Sequence, residues 1–97
     1  MPDRSLFPPK EQLRPGLRQT LRAVQRGEAR RVYVARDAGL SPDGRSPVTA
    51  PAEEAARAAG IEIVHVPTMK MLGQRCGIAV GCACAAEIAA PEKSVRS

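Results

Sequence analysis

One stretch decides the fold, residues 16–36, which read GLRQTLRAVQRGEARRVYVAR. From Gly16 to Arg26 the apolar residues recur at helical spacing, so one face carries Leu17, Leu21 and Val24. A glycine ends this helix, and the β-branched and aromatic residues of Arg31–Arg36 then predict a strand. A helix that leads directly into a strand is typical of a layered α/β protein.

The rest of the chain continues this alternation. After a loop rich in glycine and proline, a second helix is predicted between Thr49, as its N-cap, and Gly60. Residues 61–66 (IEIVHV) predict a strand, and residues 68–76 predict a short helix. Residues 81–89 (GCACAAEIA) suit a closely packed strand, with a helix as the competing interpretation. The element order implies an α/β layered sandwich.

The two ends of the chain differ from this central region. Residues 1–12 contain three prolines and few apolar side chains, so we expect a flexible arm with a short turn around Lys10–Leu13. Residues 91–97 are polar and predict a flexible tail. One domain over residues 13–90 follows, and a further strand directly before the first helix would be confined to a sheet edge by Pro15.

The charge balance favours a polyanionic partner. The chain has 15 Lys+Arg against 10 Asp+Glu, a net charge of +5, which suits nucleic acid or an anionic membrane. Aromatic residues make up only 2%, which argues against RNA-binding modules that stack bases on aromatic side chains. Because the sequence has neither a membrane-spanning apolar run nor a secretory signal, we expect a cytoplasmic protein.

The chain offers no combination of residues for catalysis. His65 has no neighbouring nucleophile or carboxylate at a suitable spacing, and Asp37 after the first strand is expected to cap a loop. The three cysteines, at C-x5-C-x-C spacing, do not match the paired pattern of metal sites, and we expect them to be reduced core residues. On a strand, Cys82 and Cys84 would face the same side. We therefore expect neither an enzyme nor a cofactor. The alternative is a thiol or metal protein that uses Cys76, Cys82 and Cys84.

Two features indicate binding. Arginines recur every four residues from Arg14 to Arg30, and no acidic residue interrupts them before Glu28. A solvated helix face would also explain this stripe, but it passes a predicted helix N-terminus, which favours phosphate. The segment Gly77–Gly81 (GIAVG) is compatible with a plain turn, yet it also provides an apolar surface against a flipped base.

Five segments, taken in order, resemble the kink-turn-binding ribosomal protein family, the L7Ae and L30e superfamily, and most of all its small bacterial branch. They are residues 15–22 (PGLRQTLR), 26–27 (RG), 32–38 (VYVARDA), 69–73 (MKMLG) and 76–81 (CGIAVG). The resemblance covers about residues 13–89 and implies a three-layer α/β/α sandwich with a mixed four-stranded sheet. It also implies a non-catalytic protein that binds kink-turn RNA in ribosomal RNA or an mRNA leader. Independently of the resemblance, we expect a monomer.

The resemblance also implies which residues contact the RNA. In this family the helix after the glycine enters the widened major groove at sheared G·A pairs, and the loop before the last strand covers the extruded bases. The groove-reading set would be Gly16, Arg18, Gln19 and Arg22, the covering loop Ile78, Ala79 and Val80, and further phosphate contacts Lys70 and Arg75. The archaeal branch has Asn-Glu in place of Arg18-Gln19, which changes the donor pattern. A protein-interaction or regulatory module of the same fold, without RNA binding, is the alternative.

Overall fold

The structure is a computed structural model that describes residues 8–89, with a mixed four-stranded sheet between two helical layers. The helices are α1 (Leu17–Gln25), α2 (Ala50–Ala59) and α3 (Met69–Cys76). The strands are β1 (Leu13–Pro15), β2 (Ala29–Ala35), β3 (Glu62–Val66) and β4 (Cys84–Ile88), and a 3-10 helix, Lys10–Gln12, precedes β1. No helix within residues 8–89 is both long and apolar enough to cross a membrane.

The sheet has the order β1-β4-β2-β3, in which β2 and β3 are parallel and β4 is antiparallel to both of its neighbours. Side chains alternate between the two faces of each strand. Val32 and Val34 of β2 therefore pack towards α1 and α2, whereas Tyr33 between them packs towards α3. The predicted three-layer α/β/α sandwich is confirmed.

The predicted elements are confirmed in type, with shifts at their ends. Strand β2 begins at Ala29, two residues earlier than predicted, because its bonds to β4 extend that far. Residues 84–88 form a strand and not a helix. The further strand before α1 exists as β1, and it lies at an edge of the sheet, where Pro15 costs no ladder hydrogen bond.

Two local expectations need correction. Thr49 occupies the N-cap position of α2, but its hydroxyl donates to Glu53 Oε2 (2.7 Å) and caps no backbone N–H. Cys82 and Cys84 do not face the same side, because Cys82 precedes the strand and lies on the α3 face while Cys84 lies beneath α1 and α2. The short turn expected around Lys10–Leu13 is the 3-10 helix Lys10–Gln12, and the Gln12 side chain donates to Ile88 O (3.1 Å). Most of the predicted arm, residues 1–7, and the predicted tail, residues 91–97, lie outside the described residues.

A buried polar group joins three strands on the α3 face. The Glu87 carboxylate, 4% exposed, accepts from Tyr33 Oη (2.8 Å) and from the Arg31 guanidinium (2.9 Å). Arg31 also pairs with the exposed Glu62 at 3.0 Å. Burial and the hydrogen bond to Glu87 raise the pKa of Tyr33 well above its ordinary value. A buried carboxylate is stable here because charged and neutral donors both compensate its desolvation.

Candidate nucleic-acid interface

The start of α1, the end of β2, the start of α3 and the loop 77–83 meet at one edge of the sheet, here called the carboxyl edge. Gly16 N–H donates to Cys84 O (2.8 Å), which joins α1 to the beginning of β4. Ala35 N–H donates to Ala83 O (2.8 Å), which joins the end of β2 to the loop. The carboxyl ends of adjacent parallel strands are a common location for binding sites in α/β folds.

Asp37 holds the start of α3 at this edge. Its Oδ1 accepts from Met69 N–H (2.7 Å), and Thr68 Oγ1 accepts from Met71 N–H (3.0 Å). Two side chains therefore satisfy the first N–H groups of α3. Asp37 therefore acts as a cap, but it caps helix α3, 32 residues further along the chain, and not its own loop as predicted.

The start of α1, in contrast, is left open to a ligand. Gly16 has φ 97° and ψ 153°, a backbone conformation that residues with a Cβ rarely adopt. No side chain caps this end, and its first turn contains no acidic residue. The free N–H groups and the positive end of the helix dipole therefore favour an anion.

The predicted groove-reading side chains lie on the first turns of α1. Arg18, Gln19 and Arg22 are all exposed. Arg18 and Arg22 are one turn apart, about 6 Å along the axis, so they share a face. Among residues 8–89, neither arginine forms an ion pair, and their planar donor groups suit phosphate and guanine edges.

The loop presents an apolar tip beside this helix start. Val80 is 70% exposed and Ala79 is also exposed, whereas Ile78 is partly buried against the core beneath α3. Ile78 N–H donates to Gly73 O (3.0 Å), which anchors the beginning of the loop to α3. The structure therefore makes Ala79 and Val80 available at the surface, while Ile78 mainly anchors the loop.

Gly73 is a residue of this site that the sequence analysis missed. A Cβ at Gly73 would collide with the Val80 carbonyl oxygen and lie 3.1 Å from the carbonyl carbon. The loop can pack this closely on α3 only because residue 73 has no side chain. A glycine inside a helix is unfavourable, and this was the signal in the sequence for a close backbone approach.

The two remaining predicted cations occupy different positions. Lys70 is exposed in the first turn of α3, at the carboxyl edge. Arg75 is partly buried in the last turn of α3. It lies about 8 Å further along the helix axis than Lys70, and therefore further from the carboxyl edge. Arg36, which the sequence pattern indicated only as the end of a strand, is exposed directly after β2 and adds a cation to the edge.

All three cysteines are buried free thiols. The Cys82 thiol donates to Cys84 O (2.9 Å). The hydrogen bond between the Cys76 and Cys82 side chains, together with burial, raises the pKa of the Cys76 thiol. Among residues 8–89, no three His, Cys, Asp or Glu side chains lie close enough together to hold a metal ion. His65 is exposed on β3 and lines a shallow pocket that also contains Arg36 and Glu53.

The sequence and the fold of this chain are both similar to those of known proteins. Residues 8–96 match the model of the ribosomal protein L7Ae/L30e/S12e/Gadd45 family. The chain belongs to this family. Membership confirms the resemblance inferred from the five sequence segments and agrees with a non-catalytic protein.

Relatives in the L7Ae family support this assignment. An RNA-binding protein of Caldanaerobacter subterraneus is 42% identical over 81 residues, which cover 84% of this chain and 89% of that protein. The RNA-binding protein YbxF of Geobacillus stearothermophilus is 41% identical over 71 residues, 73% of this chain and 79% of that protein. The large ribosomal subunit protein eL8 of Halobacterium salinarum is 40% identical over 75 residues, 77% of this chain and 58% of that protein.

Solved structures agree in fold. The 15.5kD RNA binding protein of Giardia lamblia superposes with a TM-score of 0.67 at 21% identity, covering 88% of this chain and 67% of that chain. A protein of unknown function from Bacillus halodurans superposes with a TM-score of 0.68 at 24% identity, covering 82% of this chain and 74% of that chain. At such identities the likeness supports the three-layer fold.

Proposed function

We propose that this L7Ae-family protein binds structured RNA containing a kink-turn, through the carboxyl edge and without catalysis. The observation that carries the proposal is the uncapped start of α1 at Gly16, next to the exposed Arg18, Gln19 and Arg22. The names of the relatives from Caldanaerobacter and Geobacillus support RNA as the partner.

Each part of the edge has a chemical role in this proposal. Gly16 lets an RNA phosphate approach the free N–H groups of α1, because no side chain stands between them. The side chains of Arg18 and Gln19 donate to guanine edges, and Arg22 donates to guanine O6 or to phosphate. The exposed Val80 packs on an extruded base, which keeps an apolar side chain and an apolar base face out of water.

The physiological setting belongs to the same proposal. A ribosomal RNA or an mRNA leader supplies the kinked element, the protein acts as a monomer in the cytoplasm, and no cofactor takes part. The name of the archaeal relative, large ribosomal subunit protein eL8, supports the ribosomal setting.

The test is a titration of two RNAs with the wild type and with Arg18→Ala/Arg22→Ala. One RNA contains the kink-turn, and in the other Watson–Crick pairs replace the G·A pairs. We expect tight binding to the kinked RNA alone, with a loss of about 2 to 4 kcal/mol in the double variant, because each lost charge-assisted contact costs roughly 1 to 2 kcal/mol.

A matched control is Arg57→Ala, which removes an exposed arginine from α2. This change should leave the affinity nearly unaltered. Equally weak binding of both RNAs by the wild type would reduce the site to a basic surface and favour a protein partner instead. Binding that does not weaken between low and high salt would contradict phosphate contacts, because each contact releases counterions.

A further inference from the structure

An open pocket of about 700 Å³ lies at the other end of the strands from the carboxyl edge. It is formed where α1 ends, β2 begins and β4 ends. Three arginines line it, Arg14, Arg26 and Arg30, together with Glu28 and the partly buried Ile88. We call it the arginine pocket. It has no part in the groove-reading site described above.

A β-bulge places Arg30 in this pocket. Ala29 pairs with Ile88 and Arg31 pairs with Glu87, so the register shifts and Arg30 is the additional residue between two consecutive residues of β4. A bulge redirects the side chain of its additional residue and is a common feature next to binding sites. The exposed Arg30 therefore joins Arg26 at the pocket and is not held in the strand ladder.

Backbone hydrogen bonds close the last turn of α1 beside the pocket. Glu28 N–H donates to Ala23 O (2.9 Å), and Gly27 N–H donates to Val24 O (3.1 Å). The carbonyl groups of Ala23 and Val24 therefore already accept backbone hydrogen bonds at the helix end. A ligand in the pocket would meet guanidinium groups.

The charges of the pocket are unbalanced. Within the described chain, neither Arg26 nor Arg30 forms an ion pair, and Glu28 is the one acidic residue that lines the pocket. Arg14 is positioned by one nitrogen, which donates to Glu11 O at 2.8 Å, so its other N–H groups can serve a ligand. Three cations against one carboxylate form a site for phosphate groups.

Helix α1 connects the pocket with the proposed RNA-binding edge. Arg18, Arg22 and Arg26 follow one another by one helical turn along α1, and the two ends of this helix are about 13 Å apart. We propose that the arginine pocket binds backbone phosphates of the RNA helix that flanks the kinked element. This inference rests on the proposed function and extends the contact beyond the kink.

The experiment uses two RNAs with the same kinked element, one with minimal stems and one with long stems, titrated at several salt concentrations. For Arg30→Gln, we expect a several-fold loss of affinity for the long RNA and a salt slope lower by about 0.9 for the lost phosphate contact. The minimal RNA should bind Arg30→Gln and the wild type equally. Glu28→Gln should strengthen binding of the long RNA alone, because it removes a repelling charge.

Arg57→Gln is the matched control, since it removes one exposed arginine from α2. Thermal unfolding should show that Arg30→Gln is as stable as the wild type, because Arg30 is exposed and forms no ion pair in the described chain. An equal effect on both RNAs, or no effect on either, would overturn the pocket as a site for flanking RNA.

The failure of this inference differs from the failure of the proposed function. If the wild type binds neither kinked RNA in preference to unkinked controls, the proposed function fails and the inference fails with it. If the wild type binds both kinked RNAs but Arg30→Gln shows no difference between them, the inference alone is wrong.

Discussion

Replacing Gly73 with alanine should displace the loop that presents Val80. The new Cβ would overlap the Val80 carbonyl oxygen and lie 3.1 Å from its carbon and 3.3 Å from Gly81 Cα. Packed carbon atoms are about 3.5 to 4.0 Å apart, so the loop has to withdraw by roughly 1 Å. Alanine also favours the helix by about 1 kcal/mol, which offsets part of an overpacking cost of about 1 to 3 kcal/mol.

The variant should therefore lose RNA affinity as well as some stability. We expect the free energy of unfolding to fall by no more than about 2 kcal/mol in urea titrations. Loss of the contact between Val80 and a base should cost about 1.5 kcal/mol, or roughly tenfold in Kd for the kinked RNA. Gln74→Ala, at an exposed position of the same helix, is the matched control and should bind normally.

A second variant tests whether Gly73→Ala loses RNA affinity because it displaces Val80. Val80→Ala removes the apolar tip without moving the loop, and it should weaken binding by a similar factor. Because both changes remove the same contact, the variant with both substitutions should bind little more weakly than either single variant. Unchanged affinity in Gly73→Ala, or full additivity of the two changes, would refute the role assigned to this loop.

Three further changes test the fold and the site. Glu87→Ala should lower the free energy of unfolding by about 3 kcal/mol, because it removes the buried carboxylate that accepts from both Tyr33 Oη and the Arg31 guanidinium. The exposed Glu62→Ala should cost less than about 1 kcal/mol. Equal losses from the two in urea titrations would contradict this. Because the pKa of Tyr33 is higher in the folded than in the unfolded state, its protonated hydroxyl stabilises the fold fully below about pH 10 and progressively less above it. The difference in free energy of unfolding between the wild type and Tyr33→Phe should therefore shrink as the pH rises past about 10. A constant difference would exclude this linkage. Gly16→Ala should lower the free energy of unfolding by about 1 to 3 kcal/mol through backbone strain, and it should also weaken RNA binding. A wild-type free energy of unfolding together with wild-type RNA affinity would show that the strain is absent.

Local patterns were sufficient to predict most of the elements. The apolar spacing from Leu17 to Val24 predicts a helix, and Val24 is buried on its inner face as expected. Gly60 and Gly77 end helices in the left-handed conformation that their positions in the sequence indicate. Such features depend on neighbours three or four residues away, so a single sequence contains them.

Other features depend on segments that are distant in the chain. The network of Glu87, Tyr33 and Arg31 requires the register of β2 against β4, which no local pattern records. The opposite orientations of Cys82 and Cys84 follow from where β4 begins, and the role of Gly73 follows from the path of the loop above α3.

The sequence by itself determined the α/β/α layering, the arginine stripe and the family to which the chain belongs, because periodicity and short motifs are properties of neighbouring residues. The tertiary structure alone decided which of those residues meet. It joined Gly16 to Cys84 at the carboxyl edge and placed Arg14 beside Arg30 at the opposite edge. The physical reason is that strand pairing connects residues far apart in the chain, and only the completed sheet specifies those connections.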